Sequence, residues 1–233
     1  MLPTVIIQYH KTSFGDDTGG GRADFCRSLC SLQPFLGPGS ELVVVKPHAV
    51  GGDEWIKTET RRWGIRSARL VSVPTEVHAD VTEMVLEVGG CLSKLRGPLL
   101  VCEGKLRVDP MSFAFESPRG DAWVVCRESV RMRDLHFMRS RTERLKPSEP
   151  LYGSAFLGLC GFRSFRVFEE AVMGLETEGE EEITLPRVAR ELRRNQGDVY
   201  IHRVLTPRPV GIYRVQSVES SACSYRTRLR HTA

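Results

Sequence analysis

No apolar stretch in this 233-residue chain approaches the ~20 residues that a membrane-spanning helix needs. The N-terminus enters a short apolar run directly after Met1-Leu2-Pro3, without the basic leader and apolar core of a secretory signal. Both features predict a soluble chain with no membrane partner. The seven cysteines (Cys26, Cys30, Cys91, Cys102, Cys126, Cys160 and Cys223) form no C-x-x-C pair. Cys26 and Cys30 sit four apart on a predicted helix, but one such pair does not make a zinc site. Cys102, Cys126 and Cys160 lie in apolar runs, where a reduced thiol behaves as a small hydrophobe. The expected location is therefore a reducing, cytoplasmic compartment. The six histidines form no H-E-x-x-H pattern. A G-x-S-x-G elbow, a G-x-x-x-x-G-K-[ST] loop and a G-x-G-x-x-G after the first strand are all missing. These absences argue against serine hydrolases, ordinary ATPases and dinucleotide oxidoreductases.

What is present is an ordinary globular composition, 41% hydrophobic and 27% charged, on a chain long enough for one sizeable domain. The net charge of +4 suits an anionic partner, and it equally suits a chain that uses Arg as its surface cation. Thr4-Val-Ile-Ile-Gln8 is a β-branched run of strand length, as expected for a buried parallel strand. A glycine-rich loop, Phe14–Arg22, follows. Asp24 is placed to cap the next helix, which carries Phe25, Leu29, Leu32 and Phe35 at helical spacing. Glu41–Val45, Arg69–Val73 and Pro98–Cys102 read as further strands. Between them lie a helix over 52–63 and one long helix from Thr75 to Leu95, striped with Val77, Val81, Val85, Val88 and Leu92. Three β-α units leading to a fourth strand predict a doubly wound parallel sheet.

Beyond residue 110 the regularity weakens and predicts an antiparallel extension. Strands are expected at Ala122–Cys126, Ala155–Cys160, Asp198–His202 and Val210–Val215, and helices at Phe165–Leu175 and Leu185–Arg194. Gly158 and Gly161 mark a bend or a close approach in their strand. The expected organisation is a single three-layer α/β/α domain over 1–220 and a basic tail over 221–233.

This order of parts resembles the sugar-nucleotide and phosphocholine nucleotidyltransferases, whose fold is GT-A-like. Val5-Ile6-Ile7 with Gly19-Gly20-Gly21-Arg22 stands where that family has its first strand and glycine-rich loop. Leu99-Leu-Val-Cys-Glu103-Gly104-Lys105 stands at the strand ending in Gly-Asp. Tyr152–Phe162 and Gly211–Ser220 stand at the later strand and at the closing D-x-D segment. The resemblance covers nearly the whole chain in the order and spacing of parts. It implies a nucleotide-diphospho-sugar transferase-like fold, and Mg²⁺ held by carboxylates across an α-phosphate.

The acidic positions are where the pattern departs. Lys105 replaces the Asp of Gly-Asp, and Arg214 and Gln216 replace the closing acids. Mg²⁺ takes oxygen ligands, and two cations at ~4–6 Å would repel it by several kcal/mol. The family's Pro-Lys after the loop is also absent. The resemblance thus points to a nucleotidyltransferase-like protein with degraded metal-dependent catalysis, a pseudoenzyme that binds a nucleotide, a nucleotide-sugar or a protein partner. Its nucleotide-binding residues would be Lys11, Gly19, Gly20, Gly21, Arg22, Lys105 and Arg214. An active transferase would need relocated metal ligands, with Glu103 and Asp109 the candidates for Mg²⁺.

His10 and His48 lie near strand ends, where they would line a site or merely cap a strand. A third reading makes the basic 127–146 stretch, with His136, Phe137 and Met138, an RNA-binding or structural surface. Its plainer alternative is a solvated face paired with the acidic run Glu176–Glu182. The site is expected at the C-terminal strand ends, near Tyr9–Lys11, Gly19–Arg22, Lys46 and Glu103–Lys105.

Overall fold

The computed structural model describes residues 3–9, 20–37, 40–65, 67–91, 97–104, 106, 108–110, 120–127, 141–146, 156–177 and 183–204. Strand β1 (Thr4–Gln8) is buried at every position, as its unbroken apolar run requires. It pairs in parallel with β2 (Glu41–Pro47) on one side and β4 (Leu99–Cys102) on the other. β3 (Ser67–Val73) continues the parallel set beyond β2. Helix α1 (Gly20–Leu32) follows β1, and α2 (Asp53–Arg62) joins β2 to β3.

The sheet has eight strands in the order β3-β2-β1-β4-β7-β5-β8-β6. β7 (Phe156–Phe162) lies antiparallel between β4 and β5 (Ala122–Arg127). β5 runs parallel to β8 (Val199–Val204), and β6 (Arg141–Arg144) closes that edge antiparallel to β8. The expected antiparallel extension therefore consists of β7 and β6, while β5 and β8 keep the direction of β1.

Alternation along the strands separates two cores. Ile6, Val43, Val101, Val124 and Cys160 face α4 (Val81–Cys91), α5 (Phe165–Thr177) and α6 (Leu185–Arg194). Val5, Ile7, Val44, Cys102 and Val125 face the side covered by Phe25, Leu29 and Leu32 of α1 and Ile56 of α2. The expected three-layer α/β/α arrangement with a mainly parallel sheet is the one observed.

Two helix readings are corrected. The long helix over Thr75–Leu95 is two helices, α3 (Thr75–Ala79) and α4. Asp80 breaks it by adopting extended backbone (φ −99°, ψ 115°). Its Oδ1 accepts hydrogen bonds from the N–H groups of Thr82 (2.7 Å) and Glu83 (3.0 Å) and so starts α4 afresh. Asp24 does not cap α1, because the helix begins at Gly20. It lies inside the helix and pairs with Arg27 at 3.0 Å.

The glycines of β7 are both needed. Gly158 has φ +79°, and a Cβ on Gly161 would fall 2.2 Å from Trp123 Nε1. Trp123 in turn stacks on Phe35 at 5.6 Å. The predicted strand at Val210–Val215 and the tail over 221–233 lie outside the described residues.

Candidate functional site

The parallel strands deliver their C-terminal ends to one edge, where α/β sheets bind ligands. A cleft of about 500 Å³ opens there, lined by Gln8, Ala79, Val81, Glu103, Phe156, Leu157 and Gly158. Gln8 is the polar residue that ends the apolar β1, and its Nε2 donates to the carbonyl of His78 at 2.5 Å. That bond ties α3 to the strand end. Ala79 and Val81 flank the Asp80 break, so the interruption of the helix shapes this wall.

Glu103 directly follows β4. Its N–H donates to the Gly158 carbonyl at 2.9 Å, which fixes its backbone to β7. A Cβ on Gly158 would lie 3.3 Å from Glu103 Cβ and 3.4 Å from Oε2. Such a contact is tight, and the neighbouring carboxyl would have to shift by a few tenths of an ångström. Burial pushes the Glu103 pKa above the usual carboxylate value.

Cations gather on the α1 and α2 side of the same edge. Exposed Arg22 stacks over Trp55 at 5.0 Å, and Trp55 packs on Phe25, which meets Tyr9 edge-on at 5.6 Å. Burial raises the Tyr9 pKa, opposed by the nearby Arg22 charge. Lys46 is buried at the end of β2, where its Nζ donates to the Val50 carbonyl (2.5 Å) and pairs with Asp53 (3.0 Å). Gly20 and Gly21 open α1.

Asp109 is not at the cleft. Past Gly104 the chain runs back along α1, with Leu106 N–H bonded to Ser28 Oγ (3.1 Å) and Val108 N–H to Ser31 Oγ (3.0 Å). Asp109 ends beside Cys30, whose thiol pKa is raised by burial and then by this carboxylate. Glu103 lines the cleft, and Asp109 lies beside Cys30. Among the described residues no group of three or more His, Cys, Asp or Glu is placed to hold a metal ion.

Exposed His48 donates its N–H to Val73 O across the strand ends. Lys11, Gly19, Lys105, Arg214 and His10 lie outside the described residues. The same is true of most of the basic 127–146 stretch and of 178–182. The described Arg144 pairs with Asp198, and Arg203 of β8 with Glu143. No described helix is long and apolar enough to cross a membrane.

Gln8, Ala79, Val81, Phe156 and Leu157 line the cleft without having been expected there from the sequence. Gln8 carried a signal, as a polar residue closing an apolar strand. Gly158 carried one too, as a glycine inside a strand.

The fold superposes on the nucleoside-diphosphate-sugar pyrophosphorylase of Vibrio cholerae RC9 with a TM-score of 0.61 at 13% identity. That match covers 87% of this chain and 92% of the other. It also superposes on the inositol-1-phosphate CTP transferase of T. maritima with a TM-score of 0.55 at 11% identity, over 87% and 85% of the two chains. No protein-family model and no curated protein matches the sequence. At these identities the likeness establishes the fold, which is nucleotide-diphospho-sugar transferase-like and GT-A-like.

Proposed function

We propose that this chain is a nucleotidyltransferase-like protein that binds a nucleotide or nucleotide-sugar at the C-terminal edge of its sheet, with its metal-dependent catalysis degraded. One observation carries the reading: the described lining of the cleft offers a single carboxyl, Glu103, while Asp109 lies beside Cys30. The apolar walls Ala79, Val81, Phe156 and Leu157 suit the flat face of a base. Gln8 and Glu103 supply the few polar groups that orient a ligand in such a pocket. Exposed Arg22 and the N-terminus of α1 favour phosphate on the neighbouring side.

Mg²⁺, which the fold family implies, would supply charge neutralisation at a phosphate. The described residues do not fit a two-carboxylate site for it. Ligating carboxylates must be deprotonated, and burial works against that at Glu103. Lys105 and Arg214 bring cations to the sequence positions where the resemblance expects acids.

Purified protein is tested by thermal shift against the four nucleoside triphosphates and common nucleotide-sugars, with and without Mg²⁺, alongside pyrophosphate release. A saturable rise in melting temperature that does not need Mg²⁺, without pyrophosphate, is the expected result. Mg²⁺-dependent pyrophosphate release from a triphosphate would show an active transferase and overturn the proposal.

A further inference from the structure

We infer that Trp55 is a positioning residue that holds the Arg22 guanidinium ready to meet the phosphate chain of the bound nucleotide. This rests on the nucleotide reading above and deepens it on the phosphate side.

Arg22 stands in the first turn of α1 and Trp55 in the first turn of α2. The two helices bring the cation over the indole, with the guanidinium carbon 5.0 Å from the ring centroid. The indole is itself fixed from behind. Its centroid lies 5.8 Å from that of Phe25, which is buried and meets Tyr9 edge-on at 5.6 Å. The turn that carries Trp55 is tied down as well, because buried Lys46 pairs with Asp53 at 3.0 Å and donates to the Val50 carbonyl. Tyr9 follows Gln8 of the cleft lining, and the Arg22 charge reaches its hydroxyl and favours proton release there against the larger effect of burial. Arg22 is thus held beside the strand end that borders the cleft.

Charge sets Arg22 apart from its neighbours. Arg27, Lys57 and Arg62 of the same two helices are paired with Asp24, Glu54 and Glu59. Among the described residues no carboxylate pairs with exposed Arg22, and its contact is the indole. The face of an indole attracts a cation without neutralising it. A guanidinium engaged through its face keeps its in-plane N–H groups for phosphate oxygens, which it meets two at a time. An arginine free in solvent loses rotamer freedom when it takes up an anion. One already held over a ring loses less, so Trp55 raises affinity without touching the ligand.

The test is a double-mutant cycle on the full-length chain, read by calorimetric titration with the four ribonucleoside triphosphates in the absence of Mg²⁺. Arg22→Gln is expected to weaken the best-bound triphosphate about tenfold and Trp55→Leu about fivefold. Trp55→Phe keeps an aromatic face and is expected to stay within about twofold of the wild type. In the Arg22→Gln background, adding Trp55→Leu is expected to change affinity by less than about twofold. A merely structural role for Trp55 predicts the same loss in both backgrounds, and that result overturns the inference. So does unchanged affinity in Arg22→Gln or in folded Trp55→Leu, and each of these leaves nucleotide binding standing. No binding of any triphosphate by the wild type removes both readings. Far-UV circular dichroism and melting temperature confirm that the variants fold. Arg22→Gln changes an exposed position, so the inference stays open to contradiction even should Trp55→Leu fail to fold.

Discussion

At Gly161 one methyl group decides whether β7 packs. The Cβ of Gly161→Ala would sit 2.2 Å from Trp123 Nε1, and the indole is braced on its far side by Phe35. Overpacking of this kind costs about 1–3 kcal/mol, and urea denaturation of Gly161→Ala is expected to show it. The buried and half-buried thiols give a pH dependence with a defined sign. Burial first, then Glu59, pushes Cys26 up to about 12. Burial pushes Cys102 up to about 12 and Cys126 up to about 11. Unfolded cysteines release their protons near ~8.5, so below that pH both states are protonated and stability is intact. Between there and the folded values the unfolded chain alone loses protons, so stability falls as pH rises. The denaturation midpoint is expected to drop through this alkaline window, and Cys102→Ala/Cys126→Ala to flatten the drop. At this scale the sequence was informative where chemistry is local. Cys102 and Cys126 stand in apolar runs that predict buried thiols, and Gly158 and Gly161 mark a bend or a close approach in their strand.

The break between α3 and α4 shows what an element-level pattern hides. Val77, Val81, Val85 and Val88 keep a helical spacing across Asp80, so the apolar stripe suggests one helix. A capping pattern lies in the same residues, an Asp followed three positions later by Glu83, and the apolar periodicity runs straight across it. Asp80→Ala removes the acceptor for two N–H groups at the start of α4. It is expected to cost about 1 kcal/mol in thermal or urea denaturation, and to weaken nucleotide binding because Ala79 and Val81 line the cleft. Strand order was less legible for a different reason. Hydrophobic runs mark β5, β7 and β8 as buried, yet nothing local in them says that β7 enters between β4 and β5. That placement depends on pairing partners far apart in sequence, Val101 with Cys160 and Val124 with Cys160.

At the scale of the molecule, a central parallel set carries two cores and presents its C-terminal strand ends along one edge. The sequence located that edge, since strand ends and the loops after them follow from alternation and punctuation. Glu103 could be named for that reason, because it stands one residue past β4. Asp109 was harder to place, since its position depends on how the chain after Gly104 lies back on Ser28 and Ser31. The cleft wall from Phe156 and Leu157 depends on the insertion of β7 and was out of reach for the same reason. The account's central claim is that this edge holds a nucleotide without a catalytic metal. Calorimetric titration of the purified chain with its preferred nucleotide, once with Mg²⁺ and once with a chelator, tests it most directly. Equal affinity in the two titrations is the predicted result, and binding that vanishes with the chelator would contradict it.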